Sequence, residues 1–403
     1  MPDAPTAPGN PVRAIVILSL VAFAAQAMVR VTDSLLPQIA ADLSVSVGAT
    51  SIVVTAYLFA HGSVQLVIGP IADRFGKYRC ITIAAAVAAV MVALCGFAPT
   101  LPVLVGARLG SGLATGWIIP LALAFIGDVV PFERRQHVIG TFLSGQILGQ
   151  MFGQAAGGVL GDWFGWRTVF FLLAGLLAIA TISLVVELTR NPVTRASHAR
   201  TAAPLGFVAG YAAVLRTPWA RMMIAMAFLE AGLMFGAFTY VGADLHLRFG
   251  VSFTLVGLFV GFFALGGLLY SLSVRMFVAR FGPVGIAAGG GIALAAAYLT
   301  LAIEPVYWIA PLAIMAAGLG FYMLHNTLQT NATQMTPEAR GTAVGLFSAA
   351  LYLGQMVGVA ASGFVFDRYT AVPVFLAAAV GLLAVGLYFA RGLRQRLRAA
   401  SRA

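Results

Sequence analysis

The chain alternates long apolar runs with short polar punctuation. A run such as Ile83 to Ala98 holds no charged residue, and the runs end at charges, prolines or glycine turns. A membrane-crossing helix needs about 20 apolar residues, so these runs predict transmembrane helices. A β-barrel would instead show short segments alternating apolar and polar side chains. The pattern predicts twelve spans, over 14–37, 48–70, 80–98, 101–129, 138–160, 167–187, 219–243, 252–276, 284–303, 306–330, 341–365 and 371–390. An even number of crossings puts both termini on one side. The longest polar stretch, Glu187 to Arg221, separates six spans from six. It predicts a linker with a short surface helix near Leu205–Leu215. The expected organisation is a first bundle over 1–187, a linker over 188–218, and a second bundle with a basic tail over 219–403.

Composition agrees with this. Of 403 residues, 61% are hydrophobic and 9% charged, against about 25% charged in soluble domains. That excludes a water-soluble fold and a disordered chain. The net charge of +11 would suggest nucleic acid on a soluble protein. Its placement says otherwise. Segments on the N-terminal side of the spans hold 19 of the 24 Lys+Arg, while the opposite loops hold only Arg167, Arg248 and Arg368. Arg30 and Arg108 lie within spans. This bias places the N-terminal side, with both termini, in the cytoplasm. The basic residues then face anionic lipid, and no nucleic-acid partner is expected.

Ala25-Gln26-Ala27 could end a cleavable secretory signal, but the segment continues through Asp33 and Pro37 as a first span. Cys80 and Cys95 lie fifteen residues apart in one span, roughly 22 Å along a helix and beyond disulfide reach. The sequence has no Walker loop, metal-spaced cluster or nucleophile elbow. Neither ATP-driven pumping nor hydrolysis is expected, no cofactor or metal is implied, and the chain does not read as an enzyme.

The two halves repeat. Glu133, Arg135, Gly140, Leu148-Gly149-Gln150-Met151, Gly158 and Asp162 match Glu338, Arg340, Gly345, Leu353-Gly354-Gln355-Met356, Gly363 and Asp367, each 205 residues on. A constant offset over about 30 residues indicates a duplicated six-helix unit. The halves are then related by an axis along the membrane normal, with a central site between them.

The turn between spans 2 and 3 reads Gly69-Pro70-Ile71-Ala72-Asp73-Arg74-Phe75-Gly76-Lys77-Tyr78-Arg79. It resembles the signature Gly-x-x-x-Asp-Arg-x-Gly-Arg/Lys motif of the major facilitator superfamily. The resemblance implies a conformational latch. Asp73 would meet the positive end of span 11 near Gly341–Ala343, and Lys77 would pair with Asp128 at the end of span 4. Tyr78 stands where a second basic residue is common. The matching loop in the second half keeps Arg280-Phe281-Gly282 but has Val278 where an Asp would stand, so its latch should be weaker.

Span 4 carries Arg108-Leu109-Gly110-Ser111-Gly112-Leu113-Ala114-Thr115-Gly116, an intramembrane arginine followed by a glycine-rich helix, which resembles the family's second motif. That resemblance implies an arginine biasing the protonation of a nearby acid; the alternative is a structurally bonded arginine. Span 5 carries Gly149-Gln150-Met151-Phe152-Gly153-Gln154-Ala155-Ala156-Gly157-Gly158-Val159-Leu160, which resembles the family's drug/proton antiporter motif. Gln154 replaces the usual proline and removes its kink. Gly149, Gly153 and Gly157 form a smooth face for a close neighbour. Gly165-Trp166-Arg167 resembles the start of span 6 in the same branch.

Polar residues inside spans supply candidate chemistry, because intramembrane charge is costly and avoids lipid. Gln26, Arg30 and Asp33 share a helix face, with Arg30 and Asp33 a possible neutral pair. Tyr57 and His61 share another face with Gln65; a lone histidine there serves packing or proton transfer. Glu230 is the only acid deep in the second half, with Met223, Met226 and Met234 along its face, and methionine adapts to varied apolar ligands. Asp33 and Glu230 are the two proton-carrier candidates, with Arg108 beside them. Gln146, Gln150 and Gln154, then Tyr322, His325, Asn326 and Gln329, then Tyr352 and Gln355, are candidate cavity groups.

The resemblance implies an all-α membrane protein of the major facilitator fold, in a bacterial inner membrane. It further implies a proton-coupled antiporter that exports a small organic molecule or drug by alternating access. Protons, substrate and lipid are its partners, and a monomer is expected. The rival reading is a proton symporter or facilitator that takes up a small solute such as an organic anion, for which Arg30, Arg108 and His325 are suited. A membrane-bound sensor or enzyme is disfavoured, since no catalytic constellation or sizeable soluble domain is present.

Overall fold

Every regular element among the described residues is helical. The structure is a computed structural model describing residues 11–194, 207–304, 306–336 and 339–401. Ten of its helices are long and apolar enough to cross a membrane, and one of these, Phe253–Ile303, is two helices joined at Gly282. With Phe132–Phe164 as well, the count is the twelve expected from the hydrophobic runs. In chain order they are α1 (Pro11–Arg30, continued by Leu36–Asp42), α2 (Val47–Val64, continued by Ile68–Phe75), α3 (Lys77–Phe97) and α4 (Leu101–Val129). Next come α5 (Phe132–Phe164), α6 (Trp166–Arg190), α7 (Pro218–Phe249), α8 (253–281) and α9 (283–303). The last are α10 (Ala310–Ala332), α11 (Arg340–Arg368) and α12 (Ala371–Ala400). The short surface helix is Phe207–Arg216.

Several boundaries depart from the sequence reading. α5 and α12 overrun their predicted ends because an apolar run marks only the lipid-buried length, and charged turns such as Arg391 to Arg398 continue the helix beyond it. α6 runs on to Arg190, past Glu187 where the sixth span was expected to end, and Glu187 is buried within it, its carboxylate 3.0 Å from Arg13 Nε. The predicted 277–283 turn shrinks to one residue: Gly282 takes φ +61° and Pro283 follows directly. Glycine tolerates that φ, and proline suits the first turn of the next helix.

α1 is not continuous. Residues 31–35 form a turn between its two pieces. Pro37 has no N–H to bond the Asp33 carbonyl, and Thr32, Asp33 and Ser34 compete for backbone groups. α7 breaks at Thr239–Tyr240, the position equivalent by the 205-residue offset, since Ser34 corresponds to Thr239. The cores follow the halves. One buried cluster draws only on residues from Val214 onward and another only on residues up to Leu184, while a third is first-half apart from Tyr240 and Val359.

The duplication also extends into packing. A Cβ on Gly149 would lie 2.2 Å from the Phe23 carbonyl, and one on Gly354 would lie 2.1 Å from that of Phe228. Gly153 meets Ala27 and Gly358 meets Gly232 in the same way. All four pairings keep the offset, so α1 lies on α5 as α7 lies on α11. Gly157 continues the first seam against Val31, while Gly158 faces Gly257 of α8 in the other half. α5 runs unbroken through Gln154, as the missing proline requires.

Candidate functional site

The α1 and α7 breaks meet between the halves. The Thr239 hydroxyl donates to Asp33 Oδ1 at 3.4 Å. Asp33 Oδ2 lies 3.3 Å from Arg30 Nη1, and both side chains are buried. A continuous α1 would have placed Gln26, Arg30 and Asp33 on one face. The helix ends at Arg30 instead, and the following turn brings Asp33 back to the guanidinium. Arg30 also reaches across: Nη2 donates to Gln355 Oε1 of α11, and its Cζ lies 3.7 Å over the Phe235 ring of α7. One guanidinium therefore contacts its own acid and two elements of the opposite half.

Arg108 is equally buried but differently bonded. Nε donates to the Val53 carbonyl and Nη1 to the Met28 carbonyl, each at 3.2 Å. Met28 lies in the last turn of the first α1 piece, where helix carbonyls lack intrahelical donors. The guanidinium packs 4.0 Å over Tyr57, and Nη2 has no hydrogen-bond partner. Tyr57 Oη lies 2.6 Å from Thr115 Oγ1 of α4, whose first stretch, Leu101–Thr115, ends there. His61 Nδ1 also approaches Thr115, at 3.3 Å, and its ring packs 4.2 Å from Tyr352 across the interface. His61 is thus a packed, hydrogen-bonded residue joining α2, α4 and α11.

Glu230 in the second half is fully buried. Its Oε2 lies 2.8 Å from His325 Nδ1 of α10, and its Oε1 has no partner. His325 stacks on Phe321 at 4.9 Å with 12° between planes, and Phe321 meets Phe235 edge-on at 5.0 Å. Phe235 is the ring beneath Arg30. The two acids are therefore joined by an unbroken run: Asp33, Arg30, Phe235, Phe321, His325, Glu230.

The other candidates scatter more. Gln26, Gln146 and Gln154 carry buried side-chain atoms without partners, and Gln150 is half-buried. Met226 and Met234 are buried, but the Met234 sulfur already accepts the Tyr298 hydroxyl at 3.1 Å. Tyr322 and Asn326 are half-buried, whereas Gln329 is exposed and does not share the burial of His325. In the latch motif, Lys77 Nζ pairs with Asp128 Oδ2, and Gly76 (φ +90°) caps the preceding helix. The side chains of Asp73 and Arg74, and Gly69 beyond its helical backbone, lie outside the described residues. Thr239, Phe235 and Phe321 were not singled out from sequence, and Thr115 stood there only as part of the span-4 motif. Of the first three, Thr239 alone left a signal, as the equivalent of Ser34 beside Asp33.

The sequence profile of the Major Facilitator Superfamily matches residues 18–339 and again 248–402. The chain belongs to that superfamily. Among similar proteins, the uncharacterised MFS-type transporter YceJ of Bacillus subtilis (strain 168) is 26% identical over 83% of this chain and 84% of its own length. A multi-drug resistance efflux pump PmrA homolog of Lactococcus lactis subsp. lactis (strain IL1403) is 31% identical over 33% of this chain and 32% of its own. The lincomycin resistance protein of Streptomyces lincolnensis is 31% identical over 45% and 39%. The crystal structure of the nucleoside transporter NupG superposes with a TM-score of 0.73 at 16% identity, over 93% of this chain and 98% of that one. That likeness establishes the fold.

Proposed function

We propose that this transporter exports a small organic molecule in exchange for protons, with the arginine-rich end of the bundle in the bacterial cytoplasm. The observation that carries the reading is Arg30. Its charge partner, Asp33, is a titratable acid, and its remaining contacts, Gln355 and Phe235, belong to the other half. Protonating Asp33 removes the anion that Arg30 faces and so alters a contact between the halves. This gives a direct route from proton uptake to rocking. Deprotonated Asp33 and the unpartnered Glu230 Oε1 would receive substrate from the cytoplasm, and protonation from outside would release it. Methionine and aromatic walls suit a largely apolar cargo. The glycine seam of α5 against α1, and relatives named for drug efflux and lincomycin resistance, support export.

A second reading rests on one atom. Buried Arg108 Nη2 has no acceptor and would bind a carboxylate, as in uptake of an organic anion.

Proteoliposomes with an imposed proton gradient test both, using lincomycin and ethidium as export probes and a radiolabelled monocarboxylate mixture for uptake. Export against proton entry is expected, with Asp33→Asn and Glu230→Gln each reducing coupled flux to background. If neither substitution alters coupled flux, the acids are misassigned; carboxylate entering with protons establishes the second reading.

A further inference from the structure

Asp162 and Asp367 stand 205 residues apart, at the ends of α5 and α11 away from the arginine-rich face. Each reaches over to the other half and accepts from the start of a helix there. Asp162 Oδ2 takes the Thr254 N–H at 3.1 Å and the Thr254 hydroxyl at 2.6 Å. Asp367 Oδ1 takes the Gly48 N–H at 2.8 Å, and its Oδ2 takes the Ser46 hydroxyl.

The receiving helices are built alike. Ser252 caps α8 and Ser46 caps α2, their hydroxyls accepting from Leu255 and Ala49. The first-turn N–H groups, which have no intrahelical acceptor, are therefore shared between a local serine and a carboxylate of the opposite half. A negative charge is favoured at that end of a helix. The backbones are in close contact as well. A Cβ on Gly48 would lie 2.4 Å from the Gly363 carbonyl and 2.5 Å from Asp367 Cγ, and one on Gly158 would lie 2.5 Å from Gly257 Cα.

We propose that Asp162 and Asp367 are positioning residues of the transport cycle, a duplicated latch that holds this end of the two halves together and must part at both points before the central site opens there. Each carboxylate is carried by one half and each helix start by the other, so one rocking motion separates both. The assignment requires neither proton coupling nor a particular cargo.

The test reads distance, not transport. In a background with Cys80→Ser and Cys95→Ser, spin labels go on Ala41→Cys and Leu247→Cys, exposed positions at this end of α1 and α7. Distance distributions are recorded in lipid nanodiscs. Asp162→Asn and Asp367→Asn keep an acceptor but lose the charge, and each should enlarge the long-distance population. Together they should raise the long-to-short ratio about tenfold, the change expected from removing a negative charge at two helix N-termini. An unaltered unfolding temperature separates this from misfolding. In a second arm, a Ser46→Cys/Asp367→Cys disulfide is formed first, and maleimide-linked gadolinium labels then go on the remaining thiols at 41 and 247; the disulfide should abolish the long-distance population until a reductant, which leaves the thioether labels in place, restores it. A double Asn variant indistinguishable from the parent, or a cross-linked protein that still reaches the long distance, overturns the proposal.

Discussion

Arg30 and Arg108 show two ways to keep a guanidinium in the membrane interior, where an unpaired charge is costly. Arg30 has a carboxylate and an aromatic face, while Arg108 has two backbone carbonyls and a tyrosine face. The Arg30–Asp33 pair was legible from spacing, yet the turn after Arg30 makes it, not helical periodicity. Phe235 and Phe321 were illegible, because nothing distinguishes them from 26 other phenylalanines until the tertiary fold sets them between Arg30 and His325. Outside the spans, Glu304 gives a pH prediction. Burial lifts its carboxyl from about 4.5 to about 7, Arg248 opposing and Asp244 assisting. Between those values the folded protein holds a proton that the unfolded chain has lost. Its stabilising contribution is full below the unfolded pKa and disappears as pH rises through the folded one. The melting temperature in detergent should therefore decline from about pH 5 to about pH 8, and Glu304→Gln should flatten that decline. An equally steep decline in the variant would assign the effect elsewhere.

At the scale of elements, glycine seams fix which helices lie together. A Cβ at Gly153 would press on the Ala27 carbonyl at 2.2 Å, whereas Gly175 on α6 has nothing within 4 Å. Gly153→Ala should cost about 1–3 kcal/mol by forcing the helices apart. Gly175→Ala should be neutral or stabilising by up to about 1 kcal/mol, through helix propensity. Thermal unfolding of the two variants side by side decides this, and equal effects would show that close packing at Gly153 is unimportant. The spacing of Gly149, Gly153 and Gly157 announced a seam, but not its partner. α1 became the partner only when the repeat was seen in three dimensions. Helix ends were less legible, since hydropathy records contact with lipid and α5 and α12 continue past it.

For the whole molecule, the number of helices and the duplication were the most readable properties. The apolar runs and the 205-residue offset each derive from constraints that act along the entire chain, and the 19-to-3 asymmetry carries the proposal for sidedness. An expected outcome follows: a fluorescent protein fused after Ala403 should fold and fluoresce in cells, while alkaline phosphatase fused there should be inactive. The opposite pattern would invert the proposed orientation. The interface between the halves was the least readable, because it is made of contacts from 92 residues apart, as for Asp162 with Thr254, to 321 and 325 apart, as for Ser46 with Asp367 and Arg30 with Gln355.

Gly282 joins α8 to α9 with a single non-helical residue. Such a joint leaves one residue's torsions between the two helices, and glycine is the residue that turns most freely. A displacement of α8, whose far end receives Asp162, must then be met by rotation about Gly282 or by movement of α9, with no longer loop to share it.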